Sequence, residues 1–124
     1  MIDVERVDFI PIPTRDPAQA RRFYGELLGL EESTSSSDSV WFEFETANVT
    51  LGLWQPEKLG REFTPATGIA IRVPDVAEAR SRLEAAGVEF SGETIDSGVC
   101  HMAFCTDFDG NALIVHRRYA PPHD

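Results

Sequence analysis

Short stretches of alternating apolar and polar residues dominate the chain, and two longer stretches have helical spacing instead. "RVDFIPIPT" (Arg6 to Thr14) and "TGIAIRV" (Thr67 to Val73) read as strands by their period of two. Each precedes a helical segment, "DPAQARRFYGELLGLE" (Asp16 to Glu31) and "DVAEARSRLEAAGVEF" (Asp75 to Phe90). Both segments open on an Asp suited to cap a helix, with Gln19 or Glu78 three residues later, the capping-box spacing. Pro17 suits the first helical position, and Gly29 and Gly87 suit the left-handed residue after a helix. Ala20, Phe23, Tyr24, Leu27 and Leu28 form one apolar stripe; Val76, Ala79, Leu83 and Ala86 form the other.

The flanks repeat as well. A short strand and a hairpin follow each helix, the hairpins being "SVWFEFETANVTLGLWQ" (Ser39 to Gln55) and "GVCHMAFCTDFDGNALIVHRR" (Gly98 to Arg118). Each half therefore reads βαβββ. The pattern predicts one domain over residues 1–124, with pseudo-repeats 4–55 and 66–118 and a polar, turn-rich linker over 56–65. The tail "YAPPHD" is expected to be irregular. Two repeats of this length point to a pseudo-twofold α+β architecture rather than a solenoid.

Composition narrows the partners. The chain has 124 residues, 42% of them hydrophobic, enough for a core. Its formal net charge is −10, with no basic cluster, which argues against nucleic acid. No apolar run approaches the roughly 20 residues that span a bilayer, and "MIDVERVDFI" lacks a signal core, so neither a membrane partner nor export is expected and the location is read as cytoplasmic. Cys100 and Cys105 lie five apart on one expected strand, roughly 16 Å between Cα atoms, too far for a disulfide.

The order of elements resembles the vicinal oxygen chelate superfamily, also called the glyoxalase/bleomycin resistance/dioxygenase fold. Three pieces carry the resemblance: "RDPAQARRFYGELLGLE", "GIAIRVPDVAEARSRLEAAGVEF" and "FCTDFDGNALIV", the last with Phe108 where the family usually has Pro. It implies two tandem βαβββ modules forming a curved mixed-sheet half-barrel with helices outside. It also implies a homodimer and a small-molecule ligand. Metal-dependent members place up to four ligands on inner strands. Carried over one at a time, those positions fall on Phe9, Gly52, Gly68 and Ile114, none of which can bind a metal. No cofactor is therefore expected. A divalent metal would need a non-standard site, for which His101 and His116 are the alternative candidates.

The ligand pocket implied by the resemblance contains Phe9, Phe42, Phe44, Trp54, Met102, Phe104, Ile114 and His116, with Arg72 at its edge and Gly52 and Gly68 leaving space. Trp41, Glu43 and Glu45 are expected on the opposite face of their strand. In the last hairpin a four-residue loop puts His101 opposite His116. A loop of three or five puts Cys100 there and turns His101 outward, with Cys100, Met102 and Phe104 inward. Nucleophilic catalysis by Cys100 with His116 lacks an orienting third group. The leading expectation is a metal-independent protein that sequesters or carries an apolar or aromatic ligand, cations included. The alternative is a lyase, isomerase or oxygenase with an atypical, His-containing metal site. A packed module with a filled cavity is a third reading.

Overall fold

A computed structural model of the chain describes residues 1–121. The end of the expected irregular tail, residues 122–124, lies outside the described residues. The chain divides into two compact units, residues 1–65 and residues 66 onward.

In the first unit, β1 (Phe9–Pro13) leads to a helix, α1 (Pro17–Arg21), that continues into a π-helical segment (Arg22–Leu27). Then come β2 (Glu31–Ser35), β3 (Trp41–Glu45) and β4 (Thr50–Trp54). Asp16 caps α1 by accepting the Gln19 N–H at 3.2 Å, with Pro17 in the first turn. The widened turns are closed by Leu28 N–H donating to the Phe23 carbonyl at 3.0 Å, a five-residue span. The sheet order is β1-β4-β3-β2, with β1 parallel to β4 and the other pairs antiparallel. A short 3₁₀ turn (Pro56–Leu59) opens the expected linker, and Phe63 is tucked under the Arg15 guanidinium 4.0 Å away.

The second unit repeats the design. It runs β5 (Ile69–Arg72), α2 (Val76–Ala85), β6 (Phe90–Asp96), β7 (Cys100–Thr106) and β8 (Ala112–Arg118), in sheet order β5-β8-β7-β6. Asp75 caps α2 through the Glu78 N–H at 3.0 Å, and Gly87 ends it at φ 93°. The likeness extends to irregularities: β2 carries a register shift between Glu32 and Thr34, and β6 one between Ser91 and Ile95.

Helix stripes decide which strand faces become core. In the first unit Ala20, Phe23 and Tyr24 are buried with Phe42, Phe44, Leu51 and Leu53. The Tyr24 and Phe44 rings lie 6.2 Å apart, and Arg21 caps Phe42 at 4.3 Å while pairing with Glu32 at 3.0 Å. In the second unit Val76, Leu83 and Val88 are buried with Ala103, Cys105, Leu113 and Val115.

Candidate functional site

Each sheet thus has a helix-covered face and a helix-free one. Register fixes the helix-free face of the first sheet. Trp41 pairs with Trp54, Glu43 with Gly52 and Glu45 with Thr50, while Phe9 pairs with Thr50. These seven residues share a face, since side chains alternate along a strand. Phe9 and Trp41 meet edge to face with ring centroids 4.9 Å apart. Trp41 Nε1–H donates to Glu43 Oε2 at 2.6 Å.

Phe42 and Phe44 are absent from this face. The expectation that they line a pocket is corrected: they are the core under α1, and Trp41, Glu43 and Glu45 take the face assigned to them. Gly52 does not leave open space either. A Cβ there would collide with the Trp41 Cη2 and Cζ2 atoms, so the glycine is the seat of the indole ring. Gly68 makes only ordinary contact with Ala112, 3.6 Å from where its Cβ would be.

The face carries charge as well as rings. Glu45 accepts from the Ser33 hydroxyl at 2.6 Å and the Thr50 hydroxyl at 2.7 Å. These bonds, Ser33 first, hold its carboxyl below the ordinary glutamate range, so it stays ionised into mildly acidic solution. Phe9 is 45% exposed and Trp41, Glu43, Glu45 and Trp54 are half-buried, so rings and carboxylates are presented together.

On the second sheet the helix-free face holds Met102 opposite His116, Phe104 opposite Ile114, and Ala70 and Arg72 beside Ile114 and His116. The loop between the paired Thr106 and Ala112 has five residues, and it is Met102, not Cys100, that faces His116. Cys100 faces Arg118 instead, so a Cys100–His116 thiolate pair is not assembled across the strands. His101 pairs with Arg117 and lies on the opposite face from Met102 and His116. The two histidines therefore do not join in one metal site. Among the described residues no group of three or more His, Cys, Asp or Glu side chains is placed to hold a metal ion. Cys105 is buried, and burial, with the charge of Asp107, pushes its thiol up to about 11, which keeps it protonated and inert.

Two βαβββ units with parallel outer pairs and antiparallel hairpins match one family. Residues 6–115 fit the model of the Glyoxalase/Bleomycin resistance protein/Dioxygenase superfamily. The chain belongs to that superfamily. Its fold is similar to that of a lactoylglutathione lyase from Agrobacterium tumefaciens, with a TM-score of 0.76 at 17% identity over 92% of this chain and 94% of that one. It is equally similar to TnmS3, an antibiotic-binding protein from Streptomyces sp. CB03234, with a TM-score of 0.76 at 21% identity over 95% and 99%. A superfamily member from Sphaerobacter thermophilus also gives 0.76, at 21% identity over 91% and 97%. No curated protein matches the sequence. Within the superfamily, the first sheet of this member carries the denser set of rings and carboxylates, and among its described residues no helix is long and apolar enough to cross a membrane.

Proposed function

We propose that this superfamily member binds an organic cation with an aromatic or apolar body, without a metal, and sequesters or carries it. One observation carries the reading: the Trp41 ring, seated on Gly52 and held by Glu43, meets Phe9 beside the ionised Glu45. Ring faces attract cations, and adjacent carboxylates add to that attraction. Metal independence is supported by the donor set, since Phe9, Gly52, Gly68 and Ile114 stand where the family resemblance puts metal ligands. The antibiotic-binding neighbour shows that this fold serves in binding proteins as well as in lyases.

The test is a titration with benzyltrimethylammonium, followed at the Trp41 indole N–H resonance and by tryptophan fluorescence, with and without EDTA. Trp41→Ala should weaken binding about twofold to thirtyfold, the range of about 0.5–2 kcal/mol for a cation–π contact. Gly52→Ala should do the same, because its Cβ evicts the indole and breaks the bond to Glu43. Neutral benzyl alcohol should bind more weakly than the cation. Equal affinity for both probes, or loss of binding on adding EDTA, would overturn the reading.

We also propose a homodimer. Ile2, Val4 and Val7, in the segment leading into the edge strand β1, are 85%, 80% and 70% exposed. An exposed edge beside apolar side chains favours pairing with a second copy. Sedimentation equilibrium should give about twice the 13.8 kDa chain mass, and Val4→Asp with Val7→Asp should halve it. A monomeric parent protein would refute this.

A further inference from the structure

The second unit has a groove of about 500 Å³ on the helix-covered side of its sheet, where α2 begins and no longer covers β7 and β8. It lies on the opposite face from Met102 and His116, and so is separate from the surfaces described above. Val76 and Ala77, from the first turn of α2, form one wall. His101 and Tyr119 form another, their rings stacked with centroids 4.6 Å apart at 34°. Arg117 and Arg118 complete it.

The groove's surroundings hold two arginines against two carboxylates, a near-neutral patch on a chain of net charge −10. Both nearby carboxylates are committed to the fold. Asp75 accepts the Glu78 N–H at 3.0 Å as the helix cap. Asp96 accepts from Gly98 N–H at 2.9 Å and from the Tyr119 hydroxyl at 2.7 Å, and His101 Nε2 lies 3.3 Å away. The Arg117 side chain, by contrast, has no hydrogen bond or ion pair among the described residues. Arg118 donates Nη2 to the Pro121 carbonyl at 2.8 Å, but its Nε is buried with no hydrogen-bond partner among the described residues. By alternation Arg118 belongs to the His116 face, so Arg117 is the guanidinium presented to the groove, and a guanidinium is best satisfied by a carboxylate.

We propose that this groove binds a small organic anion, a carboxylate carried on an aromatic body. Arg117 would meet the carboxylate. The His101–Tyr119 stack and the Val76–Ala77 wall would meet the ring. The groove volume lies within the range of about 300–1,000 Å³ common to small-molecule sites.

The test uses the full chain and three probes, benzoate, acetate and benzyltrimethylammonium, followed by amide and indole chemical shifts. Benzoate should move the resonances of Ala77, His101, Arg117 and Tyr119 and leave the Trp41 indole unmoved. Acetate should bind several-fold more weakly. Arg117→Gln should weaken benzoate about tenfold, the scale of one charge-assisted hydrogen bond. Ala77→Glu is a second variant on an exposed rim position. A carboxylate in the first helical turn is favourable to the helix, so its melting temperature should hold while benzoate binding falls. No benzoate binding, equal shifts in the groove by benzyltrimethylammonium, acetate binding as tight as benzoate, or unchanged affinity in both variants would each overturn the proposal.

Discussion

Phe42→Ala should destabilise the protein by about 3–5 kcal/mol, the usual cost of truncating a buried phenylalanine. For a chain of this size that corresponds to a fall of roughly 10 °C or more in melting temperature. The Phe42 ring is 0% exposed, beneath the Arg21 guanidinium 4.3 Å away and edge-on to Phe44 at 6.1 Å. Nothing from solvent can fill the void, and Arg21 is held over it by Glu32 and by the Ser39 hydroxyl at 3.0 Å. Phe9→Ala makes the paired comparison. Phe9 is 45% exposed, so its loss should cost about 1 kcal/mol or less while removing the edge contact to Trp41. Urea denaturation of the two variants measures both numbers. If Phe42→Ala proved nearly neutral and Phe9→Ala costly, the assignment of faces would be reversed.

That comparison targets the strand whose two faces differ most in polarity. "WFEFE" offers only two faces, Phe42 with Phe44 or Trp41 with Glu43 and Glu45. The more apolar set suits a pocket by composition, but the helix needs it as core. The Ala20, Phe23 and Tyr24 stripe must bury against an apolar surface, and two glutamates under it would lose their solvation uncompensated. Had the helix been given first choice, the face containing Glu43 would have been left for ligand. By register, the residue opposite Gly52 is Glu43, as the residue opposite Ile114 is Phe104.

In the second half the pattern was legible, because the resemblance already placed Ile114 on the helix-free face and period two carried His116 with it. His101 followed by parity once the loop length was known. The caps were readable throughout, since Asp16 and Asp75 act through neighbours three residues away. Not readable were contacts made across long separations. Tyr119 reaches 23 positions back to Asp96, and the groove it closes leaves no trace in a linear pattern.

The turn "DFDGN" is where a local motif and a long-range contact coincide, and Asn111→Ala should therefore cost about 2–4 kcal/mol despite removing only an amide. Asn111 is 1% exposed. Its Nδ2 donates to Asp107 Oδ2 at 2.8 Å, while Asp107 Oδ1 accepts the N–H groups of Asp109 and Asn111, each at 2.9 Å. On its other side Asn111 Oδ1 accepts the Ala66 N–H at 2.8 Å, 45 positions away, and Ala112 N–H donates to the Ala66 carbonyl at 3.1 Å. One side chain thus closes the hairpin and anchors the chain entering β5. Alanine would leave a buried carboxylate oxygen and a buried N–H without the partners it supplied, which is why the loss exceeds that of an average hydrogen bond. Denaturation should show the full penalty, and amide exchange should show Ala66 losing protection ahead of the strand interior. Asn111→Asp should be no better, since it keeps the acceptor for Ala66 but sets a second carboxylate against Asp107. A variant as stable as the parent would mean that the turn is held by its backbone alone, through Asp107 N–H donating to the Asn111 carbonyl at 2.9 Å and the left-handed Gly110 at φ 87°. In the expected case the "DFDGN" turn sets the five-residue loop that places His116 against Met102 rather than Cys100, so a motif that binds no metal still determines which side chains the second sheet presents.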